Sequence, residues 1–174
     1  MAEMQYAQVL AEGKPNSSGR VQDVIDQVQA RPQDLDKLFE CIFNSDENVR
    51  LRAGDALEKV CRAQPEWLQP FIPRLLSEVT KIEQHSVQWH LAQMLGELHL
   101  DPKQQREAVN WLVKRLAAID VDWIVAGYAM ETLAKFAETN ASLRPVLKRL
   151  LKIQQRHHSS AVARKATKLL EKLV

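Results

Sequence analysis

Apolar positions recur along the chain at the spacing of one helix face. Val49, Ala53, Ala56, Leu57 and Val60 fall at i, i+4, i+7, i+8 and i+11, which lines them up on one side of an α-helix. The stripe returns 38 residues on as Val87, Leu91, Met94, Leu95 and Leu98, and 38 further as Val125, Ala129, Thr132, Leu133 and Phe136. After another 37 it closes with Val162, Ala166, Leu169, Leu170 and Leu173. Thr132 is the single lapse in 20 positions, so the period is a property of the fold.

A second helical stretch precedes each stripe, over 33–43, 66–80, 103–118 and 142–155. Their apolar cores are Leu35/Leu38/Phe39/Ile42, Phe71/Leu75/Leu76/Val79, Val109/Leu112/Val113/Leu116 and Val146/Leu147/Leu150/Ile153. Pro32, Pro65 and Pro102 stand where a first turn begins, a place where a missing N–H costs nothing. Asp101 and Asn140 suit the N-cap of first helices; Asp46, Asp122 and Ser159 or Ser160 suit the N-cap of second ones. Pro70, Pro73 and Pro145 fall early in their helices, and Pro73 is predicted to bend its own.

The unit is therefore helix–turn–helix, 37–38 residues long and fourfold. A helix pair cannot bury its apolar face alone, so neighbouring pairs must stack. The chain resembles the HEAT-repeat family of armadillo-like α-solenoids over 32–174. The resemblance is carried by Ser45-Asp46-Glu47-Asn48-Val49-Arg50-Leu51-Arg52-Ala53-Gly54-Asp55-Ala56-Leu57 and by Leu95-Gly96-Glu97-Leu98. It implies an all-α, right-handed α-α superhelix of four repeats (32–63, 64–100, 101–138, 139–174) behind an N-terminal helical cap and loop, 1–31. Repeats two to four carry Gln88, Ala126 and Ala163 where the family has an Arg after the Val, as looser HEAT-like repeats do. Within the cap, 2–11 and 20–30 are predicted to be helical. Gly13–Arg20 between them is read as a flexible loop in which Ser17 or Ser18 caps the next helix, or as an anion cradle of backbone N–H groups beside Lys14 and Arg20.

Opposite the buried stripe lie Glu47, Leu51, Asp55 and Glu58. The equivalent places hold His85, Trp89, Gln93 and Gly96, then Trp123, Gly127, Glu131 and Ala134, then Ser160, Arg164, Lys168 and Glu171. The family likeness implies that this face lines a concave groove. Leu51, His85, Trp89, His90, Trp123 and Tyr128 are then the candidate partner-binding residues. Arg164, Lys165 and Lys168 are the candidate electrostatic ones. Trp67 and Trp111 belong to first helices and are assigned to packing.

Composition narrows the function more than it defines it. Hydrophobic residues make up 45% and charged ones 26%, too apolar for disorder. No apolar run reaches the ~18 residues a membrane span needs. The N-terminal residues lack the layout of a signal peptide, and Cys41 and Cys61 are too few for a disulfide framework, so a cytoplasmic protein is expected. Charge is lopsided. Residues 144–174 hold nine basic side chains against Glu171 alone, a net +8, whereas 1–143 carry −6. A basic end on an acidic body is read as a site for an anionic partner or for head-to-tail self-association, or else as a solvated, lysine-rich terminal cap.

No catalytic constellation stands out, and no cofactor or metal is expected. His85 and His90 are five apart and diverge on a helix, unlike an i, i+4 metal pair. Asp55, Glu58, Glu131 and Glu138 read as a solvated helix face. The favoured function is a non-enzymatic interaction module or scaffold. It takes a partner segment on the groove, anchored by Trp89 and Trp123 and steered at an acidic end by Arg164, Lys165 and Lys168. One alternative is nucleic-acid binding in the manner of the HEAT-like alkylpurine DNA glycosylases, on Trp89, Trp123, Glu131 and the basic last repeat. Against it, Glu47, Asp55 and Glu58 repel phosphates. The other alternative is an accessory subunit or a chaperone like the HEAT-like bilin lyases.

Overall fold

The computed structural model describes residues 5–173 and is all-helical there, in two compact units, Met1–His99 and Leu100–Val174. Residues 2–4, part of the first predicted helix, lie outside the described residues. No helix of the described residues is long and apolar enough to cross a membrane.

The first unit runs α1 (Tyr6–Ala11), α2 (Val21–Ala30), α3 (Leu35–Glu40), α4 (Glu47–Ala63), α5 (Pro65–Leu68), α6 (Ile72–Ser77) and α7 (His85–Glu97). The second runs α8 (Pro102–Ala117), α9 (Trp123–Thr139), α10 (Arg144–Gln154) and α11 (Ser160–Glu171). In the first unit α4 is central, with α1, α2 and α3 on it and α7 alongside. In the second, α8 packs on α10 and α9 on α11, so first helices lie against first and second against second.

All four second helices form where the periodicity places them. The stripe is buried throughout the first three; in α11 Val162 and Ala166 are buried and Leu169, Leu170 and Leu173 half-buried. Each fully buried Leu, such as Leu57, Leu95 or Leu133, stabilises the fold by about 1.5–3 kcal/mol. The caps explain the starts. Asp46 Oδ1 accepts from Asn48 N–H at 2.8 Å, and Asp122 Oδ1 from the Ile124 and Val125 N–H groups at 2.9 and 3.1 Å. Asp101 closes a capping box: it accepts from Lys103 and Gln104 N–H, while Gln104 Oε1 accepts from the Asp101 N–H. Ser159 holds the N-cap place of α11 without a capping bond from its hydroxyl. Its N–H instead donates to His157 Nδ1 at 2.9 Å.

The first helices are less regular than the pattern predicts. The stretch 66–80 breaks into α5, a 3-10 turn at Gln69–Phe71, α6 and a second 3-10 turn at Val79–Lys81. Pro70 and Pro73 both lack the N–H an α-helix needs there, so the break involves two prolines and not Pro73 alone.

The loop after α1 is ordered by Arg52, the largest fully buried side chain, 1% exposed. Its Nε donates to Ser17 O at 2.9 Å, Nη1 to Leu10 O and Glu12 O at 2.6 and 2.9 Å, and Nη2 to Lys14 O at 2.6 Å. The chain turns around this guanidinium with positive φ at Gly13, Asn16 and Gly19. At Gly19 a Cβ would stand 2.5 Å from Glu12 O, so only glycine fits. Neither sequence-based reading of the loop describes it. Carbonyl oxygens, not N–H groups, converge here, and the cation they hold belongs to α4. Ser17 Oγ donates to Lys14 O, and α2 starts without a side-chain cap.

Candidate functional site

The exposed aromatic face is clearest in the second unit. Trp123 opens α9 and is 54% exposed, a large apolar side chain left facing solvent. Beside it a cavity of ≈ 350 Å³ lies between α9 and α11, lined by Trp123, Ile124, Gly127, Tyr128, Ala161, Val162 and Lys165. Most of that lining is hydrocarbon or aromatic. Gly127 forms part of its wall, and a Cβ there would make only ordinary contact, 3.5 Å from Lys165 Nζ. Lys165 Nζ lies 5.7 Å from the Tyr128 ring centroid and pairs with Glu131, which leaves an ammonium at the edge of an apolar hollow. Arg164 and Lys168, on the same helix, are exposed.

In the first unit the candidates separate. His85 is exposed, and Leu51 and Trp89 are half-buried. His90 is 8% exposed. Its ring packs beside Trp89, centroids 5.5 Å apart, and against Gly54, where a Cβ would stand 3.1 Å from Cδ2. Burial pushes the His90 pKa down to about 4, so the ring is neutral near pH 7.

One chemical grouping escapes a reading of the sequence. Glu58, assigned above to a solvated face, is 5% exposed, because α7 packs along α4, and burial raises its pKa. One oxygen each of Asp55 and Glu58 and one ring nitrogen of His90 lie within 4.8 Å of one another. Asp55 and Glu58 share a helix face at i, i+3. His90 comes from the next repeat, and no local spacing could join it to them.

The other chemistry-bearing side chains are structural. Cys41 and Cys61 are buried thiols, pushed up to about 11 and about 12 by burial, the opposite of an activated nucleophile. His157 uses both ring nitrogens: Nδ1 accepts from Ser159 N–H, so Nε2 carries the proton and donates to Val121 O at 2.8 Å. His158 stacks on it. Trp111 is buried with the Arg115 guanidinium 5.6 Å from its ring centroid.

Paired helices of this length, joined by short capped turns, define an all-α helical-repeat protein. The family model of the HEAT repeat domain matches residues 13–173, and the chain belongs to the HEAT-repeat family. The crystal structure of an engineered protein from the Northeast Structural Genomics Consortium has the same fold, with a TM-score of 0.65 at 21% identity over 97% of this chain and 79% of that one. No curated protein matches the chain. HEAT repeats serve in general as protein-interaction scaffolds.

Proposed function

We propose that the protein is a non-enzymatic interaction module whose second unit captures an acidic segment of a partner protein. The observation that carries this is Trp123, exposed at the rim of the apolar hollow between α9 and α11 with Lys165 at its edge. A bulky apolar side chain of the partner enters the hollow and stacks on Trp123 and Tyr128. Carboxylates flanking it meet Lys165, Arg164 and Lys168. Exposed aromatic patches rimmed by charge are where interaction energy concentrates, and a packed helical pair meets its ligand with little reorganisation. The half-buried Trp89 and Leu51 and the exposed His85 of the first unit stand as separate, weaker candidates.

The test is selection of a displayed random-peptide library on the immobilised protein. Enriched peptides are expected to be acidic around one aromatic or long aliphatic residue. Trp123→Ala should weaken them by ~30-fold or more, the loss of about 2 kcal/mol typical of an aromatic anchor, with helicity unchanged. Lys165→Glu should weaken them as well. Unchanged affinity in a folded Trp123→Ala variant would overturn the reading. Tight binding to nucleic acid that collapses between low and moderate salt would replace it with phosphate recognition.

A further inference from the structure

We propose that Asp55, Glu58 and His90 form a binding site for a first-row divalent cation, Zn²⁺ being the best match, built between α4 and α7. The donor set is two carboxylates and one imidazole. Such sets suit Zn²⁺ with three protein ligands and an open position for water.

The geometry supports it from both helices. The i, i+3 spacing brings both carboxylates to the side of α4 that faces α7, and the His90 ring reaches them with one nitrogen. Metal–ligand bonds of about 2.0–2.2 Å hold donor atoms some 3–3.6 Å apart. Donor atoms already within 4.8 Å of one another reach that spacing by small side-chain rotations. The second observation is the state of His90 itself. It is more than nine-tenths buried, and its Nδ1, also buried, has no hydrogen-bond partner. His157, by contrast, has both ring nitrogens bonded, whereas Gln93 is the one hydrogen-bonding side chain that stands by the His90 ring. Two carboxylates and a neutral ring around M²⁺ sum to zero charge, the arrangement a buried site tolerates.

Two cations compete for the carboxylates. Lys59 Nζ lies 3.0 Å from Asp55 and Arg62 Nη2 3.6 Å from Glu58. Both cations are long side chains open to solvent, so they can swing away as the acids turn to a metal ion, although the acids themselves are largely buried.

The experiment titrates the full-length protein, stripped with EDTA and dialysed, with Co²⁺ followed by its visible d–d bands, then with Zn²⁺ in competition. One equivalent is expected to bind, Zn²⁺ displacing Co²⁺. Glu58→Gln and His90→Gln should each weaken it by about tenfold or more, and a His85→Gln/His158→Gln variant should leave it unchanged. If His90→Gln fails to fold, Glu58→Gln and Asp55→Asn decide the matter. Absence of a stoichiometric complex, binding that survives in the folded His90 or Glu58 variants, or binding lost only with His85 and His158 would each overturn the proposal.

Discussion

At the scale of the residue, burial rather than residue type decides what a side chain does here. His90 and His85 lie on one helix, yet only His90 is sealed against a neighbouring glycine and beside two acids. Its folded pKa of about 4 against the ordinary 6.5 makes stability depend on pH with a definite sign. The folded state resists protonation, so the unfolded chain binds the proton first as pH falls. Stability from this group is full above 6.5 and is lost progressively from 6.5 down to about 4, reaching about 3 kcal/mol. Glu58, raised by burial with Asp55 and Glu97 adding and Arg62 and Lys59 opposing, takes its proton early in the fold and offsets part of the loss. Urea melts of the metal-free protein, with chelator present, are expected to show the decline over that window. His90→Gln should flatten it, and an equally steep decline in the variant would mean that another group titrates.

At the scale of the element, the repeat shows itself in side chains that point backwards as well as in the buried stripe. Arg52, His90, Tyr128 and Lys165 occupy one register position in the four second helices. Arg52 grips the loop before it, His90 meets Asp55 and Glu58 of α4, and Lys165 pairs with Glu131 of α9. Arg52 instead holds four backbone carbonyls, which orders the loop between α1 and α2. Arg52→Met keeps the stem and removes the donors. Buried acceptors left unpaired cost roughly 1–3 kcal/mol each before relaxation. A loss of about 3 kcal/mol is therefore expected, together with faster trypsin cleavage at Lys14 and Arg20. Wild-type stability with an intact loop would show that the carbonyl cage is dispensable.

At the scale of the whole molecule, what was legible in the sequence was whatever repeats. The stripe at i, i+4, i+7, i+8 and i+11, the prolines at first turns and the Asp caps place the second helices to within about two residues, because each signal is local and recurs. The 13–20 loop was not legible, since its organiser lies some forty residues away on α4. Nor was the meeting of Glu58 with His90, which depends on how two repeats pack. Trp123 was legible as an outlier to the stripe; the hollow beside it needed Gly127 and Lys165 in three dimensions. The same dependence of one repeat on the next leads to a last expectation. The pair α10–α11 covers α8 and α9, with Gln154 Nε2 donating to Leu116 O and Ala118 O and His157 to Val121 O. Removing 141–174 strips these bonds from the end of α8 and uncovers the sides of α8 and α9 on which α10 and α11 pack, where each apolar side chain contributes about 1.5–3 kcal/mol when buried. It also removes nine basic side chains and shifts the net charge from +2 to −6. The added charge repels other copies and favours solubility, so a soluble product is not by itself evidence of folding. The measurement is therefore cooperativity: the 1–140 fragment should melt broadly and bind a hydrophobic dye, and a sharp two-state urea transition in it would show that the third repeat needs no fourth.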